Sequence, residues 1–273
     1  MIRDDDEPGF RALTRQISLA RGLCCDAYKD RCLRRRIAVR MRARGTHSYG
    51  EYAALLARDG LEYDRLLDAL TINVTKFYRN AGTWRALATP HLAELWRARH
   101  GRVRAWSAGC ASGEEPLTVA VLLAETARRA DEEAWLSRAA IDATDIDRES
   151  LDRIAAGAYD DGAFQEMPAD LVRRYFTADL PRRPVPAIRA LVHPLRHDML
   201  REPPPRPPYD LILCRNVVIY FDRPTQERLF LGFVDALAPG GRLVLGKVET
   251  LFGPARDRLA LDDPRERIYR RPA

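Results

Sequence analysis

The sequence predicts an α/β protein in two parts: a small all-helical N-terminal domain, then a larger domain in which strands and helices alternate. Three observations carry this. Residues from about 8 to 90 space their apolar side chains as helices do and contain almost no β-rich run. After about residue 100, strand-length apolar runs alternate with helix-length amphipathic ones. Small or polar residues come directly after the apolar runs at Gly109, Asp145 and Arg215-Asn216, where open α/β sheets bind their ligands.

The helical part opens on Phe10, Leu13 and Ile17, and continues through Tyr52, Leu55 and Leu56 to Leu61, Leu66, Leu67 and Leu70. Between these, Lys29 to Arg44 reads as a docked basic helix, with Leu33, Ile37 and Met41 on one stripe and Arg31, Arg35 and Arg42 on another. The expected boundary lies between Leu92 and Gly101, dividing the chain into 1–92 and 93–273. Val103 to Trp106 reads as the first strand, Glu115 to Arg129 as its helix, Ala139 to Ala143 as the second strand and Arg148 to Ala156 as the next helix. The loosely alternating, proline-bounded stretch at about 178–196 predicts a short β insertion. Tyr209 to Cys214 is a buried strand, Pro224 to Leu237 a helix stopped by Pro239-Gly240-Gly241, and Arg242 to Leu245 a strand that Arg267-Ile268-Tyr269 joins.

With 273 residues, 46% hydrophobic and 31% charged, the chain has the composition of an ordinary folded protein. No apolar run approaches the roughly 20 residues that span a bilayer, so membrane insertion is not expected. The acidic start, Met1 to Glu7, lacks the apolar segment of a secretion signal, and cytoplasmic residence is expected. Five cysteines, two of them adjacent, do not make a disulfide framework. The histidines are scattered, His193 and His197 flank Pro194, and no CxxC is present, so no metal site is expected. The net charge of +6 points to an acidic partner, and it concentrates on the basic helix. That helix reads either as a solvated face or as a surface for acidic protein or nucleic acid. It lacks the aromatic interleaving of a single-strand binder.

The run Trp106-Ser107-Ala108-Gly109-Cys110-Ala111-Ser112-Gly113-Glu114-Glu115-Pro116 comes after a strand and opens a helix, so its small residues allow a ligand close to the backbone. It is neither a GxGxxG nor a phosphate-binding loop, which favours an unphosphorylated nucleoside. The two glutamates either cap free amides or hold a cationic group such as an amino-acid ammonium. Asp145, one strand-helix unit later, is placed to accept both hydroxyls of a ribose, and Asp147 to cap the next helix. Together these features point to an adenosine-type ligand.

Five blocks in register, Thr71-Ile72-Asn73-Val74-Thr75-Lys76-Phe77-Tyr78-Arg79, the run from Trp106 to Pro116, Thr144-Asp145-Ile146-Asp147, the string Cys214-Arg215-Asn216-Val217-Val218-Ile219-Tyr220-Phe221-Asp222, and Pro239-Gly240-Gly241 to Gly246, resemble the bacterial chemotaxis receptor methyltransferases of the CheR family. The resemblance implies a helical domain on a Rossmann-like methyltransferase domain with a small β subdomain. It implies S-adenosylmethionine as cofactor, S-adenosylhomocysteine as product, and methyl esterification of glutamates on the cytoplasmic helices of chemoreceptors. Carried over, Asn73, Thr75 and Arg79 line the cofactor and active-site side, with Ala108 and Gly109 in the loop. Glu115 holds the methionine ammonium, and Asp145 the ribose. Asp198-Met199 and Arg215-Asn216 contact the adenosine and methionine portions, and Tyr220 lies beside the transferring methyl. Arg79 and Tyr220 are the expected catalytic pair. Arg31, Arg35 and Arg42 are the expected attraction for the receptor helix.

The chain departs from the family in two places. Gly246-Lys247-Val248-Glu249 stands where the family usually has Gly-His-Ser-Glu, and the stretch from 181 to 195 is short for a β subdomain that grips a receptor's tethering peptide. Two rival readings accompany the main one: a methyltransferase of nucleic acid or a small molecule, supported by the basic helix and an adenosine site of general kind, and a non-catalytic cofactor-binding scaffold, motivated by Lys247-Val248.

Overall fold

Leu33, Ile37 and Met41, each four residues from the next, are almost wholly buried, and the helix that carries them organises the N-terminal unit. The structure, a computed structural model, describes residues 6–71 and 75–273. Helix α1 (Glu7–Arg21) starts where Asp6 accepts the Gly9 amide at 2.9 Å, and stops at Gly22 in the left-handed region. The basic helix is α2 (Asp30–Ala43), succeeded by α3 (Tyr49–Arg58), capped by Ser48, and α4 (Gly60–Thr71). Phe10, Leu13, Ile17, Tyr52, Leu56, Leu66 and Leu70 complete its core. Glu62 is buried there because Arg40 binds it through two nitrogens, at 3.0 and 2.6 Å, and the Tyr52 hydroxyl donates to it at 2.8 Å. Residues 220–225 group with this unit. The Tyr220 carbonyl accepts the Lys29 amide at 2.9 Å, and Asp222 donates its amide to the Ala27 carbonyl at 2.9 Å.

The second unit, 74–219 with 226–273, is built on a seven-stranded sheet. Helix α5 (Ala81–Ala86) and α6 (Ala93–Arg99) flank a distorted turn at Thr89-Pro90, where proline interrupts the helical hydrogen bonding. Then come β1 (Arg104–Ala108), α7 (Glu114–Arg129), β2 (Ala140–Asp145), α8 (Arg148–Ala156), α9 (Ala169–Tyr175), α10 (Pro186–Arg189), β3 (Val192–Arg196) and β4 (Tyr209–Cys214). The remaining elements are α11 (Arg223–Ala236), β5 (Leu237–Leu245), α12 (Pro254–Asp257), β6 (Ala260–Asp263) and β7 (Ile268–Arg270). The strand order is β3-β2-β1-β4-β5-β7-β6. The first five run parallel, and β7 is antiparallel to both its neighbours. The order reverses between β1 and β4, which places a crevice at their carboxyl ends.

The expected boundary lies between 92 and 101, and the compact units part at 73/74: Phe77, Trp84, Leu87, Leu92, Leu95 and Trp96 share one core with Leu117, Val121 and Leu211. Helical spacing announced these helices without saying which core they would face. Val192–Arg196 pairs in parallel with Ile141–Asp145 as the edge of the main sheet, and 181–184 contributes only isolated bridges to Tyr159 and Phe176. No helix among the described residues is long and apolar enough to cross a membrane.

One buried carboxylate ties α7 to α9. Burial alone would push Glu125 up, but bonds from Arg128 (2.9 Å), the Tyr175 hydroxyl (2.8 Å) and Arg174 outweigh it and bring its pKa to about 2. A depressed carboxyl contributes stability above its ordinary value of 4.5, and that stability is lost as pH falls towards about 2. Thermal melts between those limits should show wild-type stability falling with a slope that Glu125→Gln lacks. At neutral pH the variant should melt several degrees lower, as a loss on the order of 2 kcal/mol requires in a chain of this size.

Candidate functional site

Strand β1 delivers the chain to Gly109 at its carboxyl end, and the turn beyond it has no room for a side chain at Gly109 or Gly113. The Gly109 and Cys110 amides both donate to the Thr144 carbonyl of β2, at 2.8 and 3.0 Å. Gly109 has a φ of +77°, and a Cβ there would lie 2.7 Å from a methyl of Val217. Gly113, at +96°, is closed in the same way by Ile154 and the Tyr159 hydroxyl, which donates to the Ser112 carbonyl at 2.8 Å. Both the backbone conformation and the space demand glycine, and the result is a cradle lined by main chain.

Asp145, at the end of β2, faces this turn. One oxygen accepts the Ala111 amide at 2.9 Å, the other the Asp147 amide at 3.0 Å. Burial nonetheless pushes its carboxyl above the ordinary aspartate value. The backbone amides of Asp147, Ala111 and Ile146 favour the ionised form and oppose that push. Residues 197–199 complete the wall: His197 donates its amide to the Asp145 carbonyl at 3.0 Å, Asp198 accepts the Leu200 amide at 3.0 Å, and the Met199 methyl approaches Gly109.

Glu115 sits in the first turn of α7, where the helix dipole favours an acid. Its oxygens accept the Ser107 hydroxyl at 2.9 Å and an Arg215 nitrogen at 3.2 Å. Arg215, immediately after β4, is 6% exposed. Its other terminal nitrogen reaches the Arg79 carbonyl at 2.9 Å and the Asn80 side-chain oxygen at 3.2 Å, and its guanidinium lies 4.7 Å from the Trp84 ring centre. Asn216, next in the chain, is in the left-handed region, with a φ of 61°.

Of the residues the sequence singled out, Ala108, Gly109, Glu115, Asp145, Asp198, Met199, Arg215 and Asn216 thus surround one sheet edge. Arg79 joins them through its main chain. Thr75 is half-buried near the start of the unit. Asn73 lies outside the described residues. Tyr220 groups with the helical unit, its ring 4.9 Å below the Arg36 guanidinium. Sequence reasoning missed Ser107, Asn80 and Trp84. Ser107 alone carried a signal, a hydroxyl inside a buried strand. Among the described residues, no three His, Cys, Asp or Glu side chains converge as a metal site requires.

A main-chain cradle, an acid at the second strand's end and an acid at the helix start fit an adenosine cofactor with an amino-acid tail. Comparison with known proteins agrees. Residues 73–263 match the family model described as the CheR methyltransferase SAM binding domain, and residues 8–71 match the CheR methyltransferase all-alpha domain. A chemotaxis protein methyltransferase of Klebsiella aerogenes is 34% identical over 258 residues, covering 91% of this chain and 85% of the relative. Proteins of the same name from Listeria innocua and Escherichia coli are 31% and 32% identical, covering 92% and 88% of this chain and 93% and 83% of their own. The chain belongs to the CheR methyltransferase family, and its cofactor is S-adenosylmethionine.

Proposed function

We propose that this chain methylates glutamate side chains on the cytoplasmic helices of chemoreceptors, in the cytoplasm, as the adaptation enzyme of a chemotaxis-type pathway. The relatives' names support the pathway. The observation that carries the chemistry is the Arg215 clamp, which joins the segment bearing Arg79 to Glu115 at the cradle.

S-adenosylmethionine supplies an electrophilic methyl group on a sulfonium. Asp145 is assigned to the ribose hydroxyls and Glu115 to the ammonium. A glutamate acceptor is already ionised at neutral pH, so no residue is needed to take a proton from it. What the protein contributes is position: an oxygen held about 3 Å from the methyl and in line with the bond that breaks. Arg79 and Tyr220 are assigned to orienting that carboxylate. Tight pairing with a dehydrated guanidinium would blunt the nucleophile, so orientation must stay weaker than full capture.

The helical unit supports a docking role for α2. Arg34 packs on Phe10 and pairs with Glu7, Arg36 donates to the Ala69 and Leu70 carbonyls, and Arg40 holds Glu62. Arg31, Arg35 and Arg42 are exposed. We assign them to long-range attraction of an acidic receptor helix.

Three outcomes test this reading. Asp145→Ala should weaken cofactor binding at least tenfold by calorimetry, since one charge-assisted hydrogen bond is worth roughly 1.5 to 3 kcal/mol; unchanged affinity removes the ribose from Asp145. Arg79→Ala and Tyr220→Phe should each lower the single-turnover rate by about an order of magnitude while cofactor affinity moves far less. A wild-type rate removes that residue from the active centre. Finally, reversing Arg31, Arg35 and Arg42 to Glu should raise the receptor KM severalfold without altering cofactor binding. Because exposed charges are screened within about 8 to 10 Å at physiological salt, the wild-type rate at low receptor concentration should also fall more steeply across a salt series than the variant's. Equal salt slopes would reduce the stripe to a solvated face.

A further inference from the structure

Glu249 is a buried carboxylate that the methyl-transfer chemistry does not use. It stands four residues past the end of β5 and is 3% exposed. Its Oε2 accepts two backbone amides, Gly246 at 2.6 Å and Asn216 at 2.9 Å. The first belongs to its own turn, which the Glu249 amide closes by donating to the Gly246 carbonyl at 2.9 Å. The second belongs to the loop after β4. One oxygen therefore stitches together the two loops that leave adjacent strands at the sheet's carboxyl edge. Burial pushes the carboxyl up, while the amides of Asn216, Gly246, Ile219 and Val217 favour its ionised form.

Both neighbours of Asn216 reach the cofactor cradle. Arg215 carries the clamp onto Glu115 and the Arg79 carbonyl, and Val217 fills the space that a side chain on Gly109 would need. Asn216 itself is left-handed, a conformation that costs energy in any residue but glycine and persists only where its surroundings hold it. The Glu249 bond to its amide is a hold of that kind. Gly246 completes the arrangement for reasons of space: a Cβ there would lie 2.6 Å from the Glu249 oxygen and 2.9 Å from the Asn216 nitrogen.

We propose that Glu249 is a positioning residue of the cofactor site, holding the Arg215–Val217 turn so that Arg215 meets Glu115 and Val217 closes on Gly109. The proposal rests on the assignment of the cradle to the cofactor. It predicts that Glu249 acts on affinity through geometry, so an acceptor oxygen without charge should serve in part. The probe is S-adenosylhomocysteine titrated by calorimetry into the full chain, with thermal melts and single-turnover rates at saturating cofactor alongside. Glu249→Ala should weaken binding tenfold or more and slow turnover, whereas Glu249→Gln, which keeps one oxygen, should recover most of both. Gly246→Ala, which intrudes on the same bonds from the other side, should match Glu249→Ala, and the double substitution should add nothing further. If Glu249→Ala does not fold, Gly246→Ala and Glu249→Gln decide. Wild-type affinity in Gly246→Ala, or lowered melting temperatures with unchanged affinity and rate in the folded protein, overturns the proposal. Asp145→Ala in the same series keeps the two readings apart. Loss there with normal binding in the Glu249 and Gly246 variants defeats the positioning role alone. Loss in the Glu249 and Gly246 variants with normal Asp145→Ala supports positioning and defeats the ribose assignment.

Discussion

The α/β unit depends on where the charge of Arg215 goes. A guanidinium stays protonated at any pH a protein survives, and removing it from water costs several kcal/mol unless a counter-ion and hydrogen bonds replace its hydration. At Arg215 that replacement comes from separate parts of the chain: Glu115 from α7, the Arg79 carbonyl and Asn80 from the segment before α5, and the Trp84 face from α5 itself. The helix that supplies Glu115 is distant in sequence from the segment that supplies the rest. Removing one partner leaves a buried charge undercompensated, at a cost of roughly 3 to 5 kcal/mol for a broken buried pair. Their positions are therefore coupled. The acid assigned to the cofactor's ammonium and the segment assigned to the acceptor are held by the same cation.

The departure at 247–248 has a physical account in the same region. Lys247 lies 3.3 Å from Glu266, a buried acid that also accepts the Thr83 hydroxyl at 2.7 Å and leaves no room for a side chain at Gly82. In this chain the residue that replaces the family's usual histidine is thus engaged with the first turn of α5, just past Asn80. The pair is half-exposed on the lysine side, so its net contribution is modest. Its value is directional, since it links the turn after β5 to the helix that packs on Arg215. Val248 is 74% exposed, and nothing in the structure explains its identity.

What could be read from the sequence was what is written locally. Gly109, Gly113 and Asp145 declare themselves because a strand end, a tight turn and a helix start are encoded within a few residues of each, and the sheet order then brings them together. The spacing of Trp84, Leu87, Leu92 and Leu95 specifies an apolar stripe but not the core that receives it. Val192 to Arg196 pairs along the edge of the main sheet, a partner that local spacing does not name. Glu249 was visible only as the last letter of an altered motif. Its importance comes from the amide of Asn216, thirty-three positions away, and no local pattern reports such a bond. Tyr220 is the opposite case, a residue whose string was unmistakable but whose grouping with Arg36 and Lys29 is decided by packing.

The same distinction explains why net charge was a coarse guide to the partner. On α2 the arginines divide by geometry. Arg34, Arg36 and Arg40 sit close enough to the apolar stripe that their stems pack and their heads find Glu7, two helix-end carbonyls and Glu62. All three hold the unit together, and Arg34 and Arg40 contribute little to the field outside it because their acidic partners offset them. Arg31, Arg35 and Arg42 lie further round the helix, in solvent. Charge that is solvated acts at a distance, and it accelerates encounter more than it strengthens the final complex. On the docking role proposed for Arg31, Arg35 and Arg42, such a helix separates recruitment from chemistry: its inner face is fixed by the fold, and its outer face is free of that constraint.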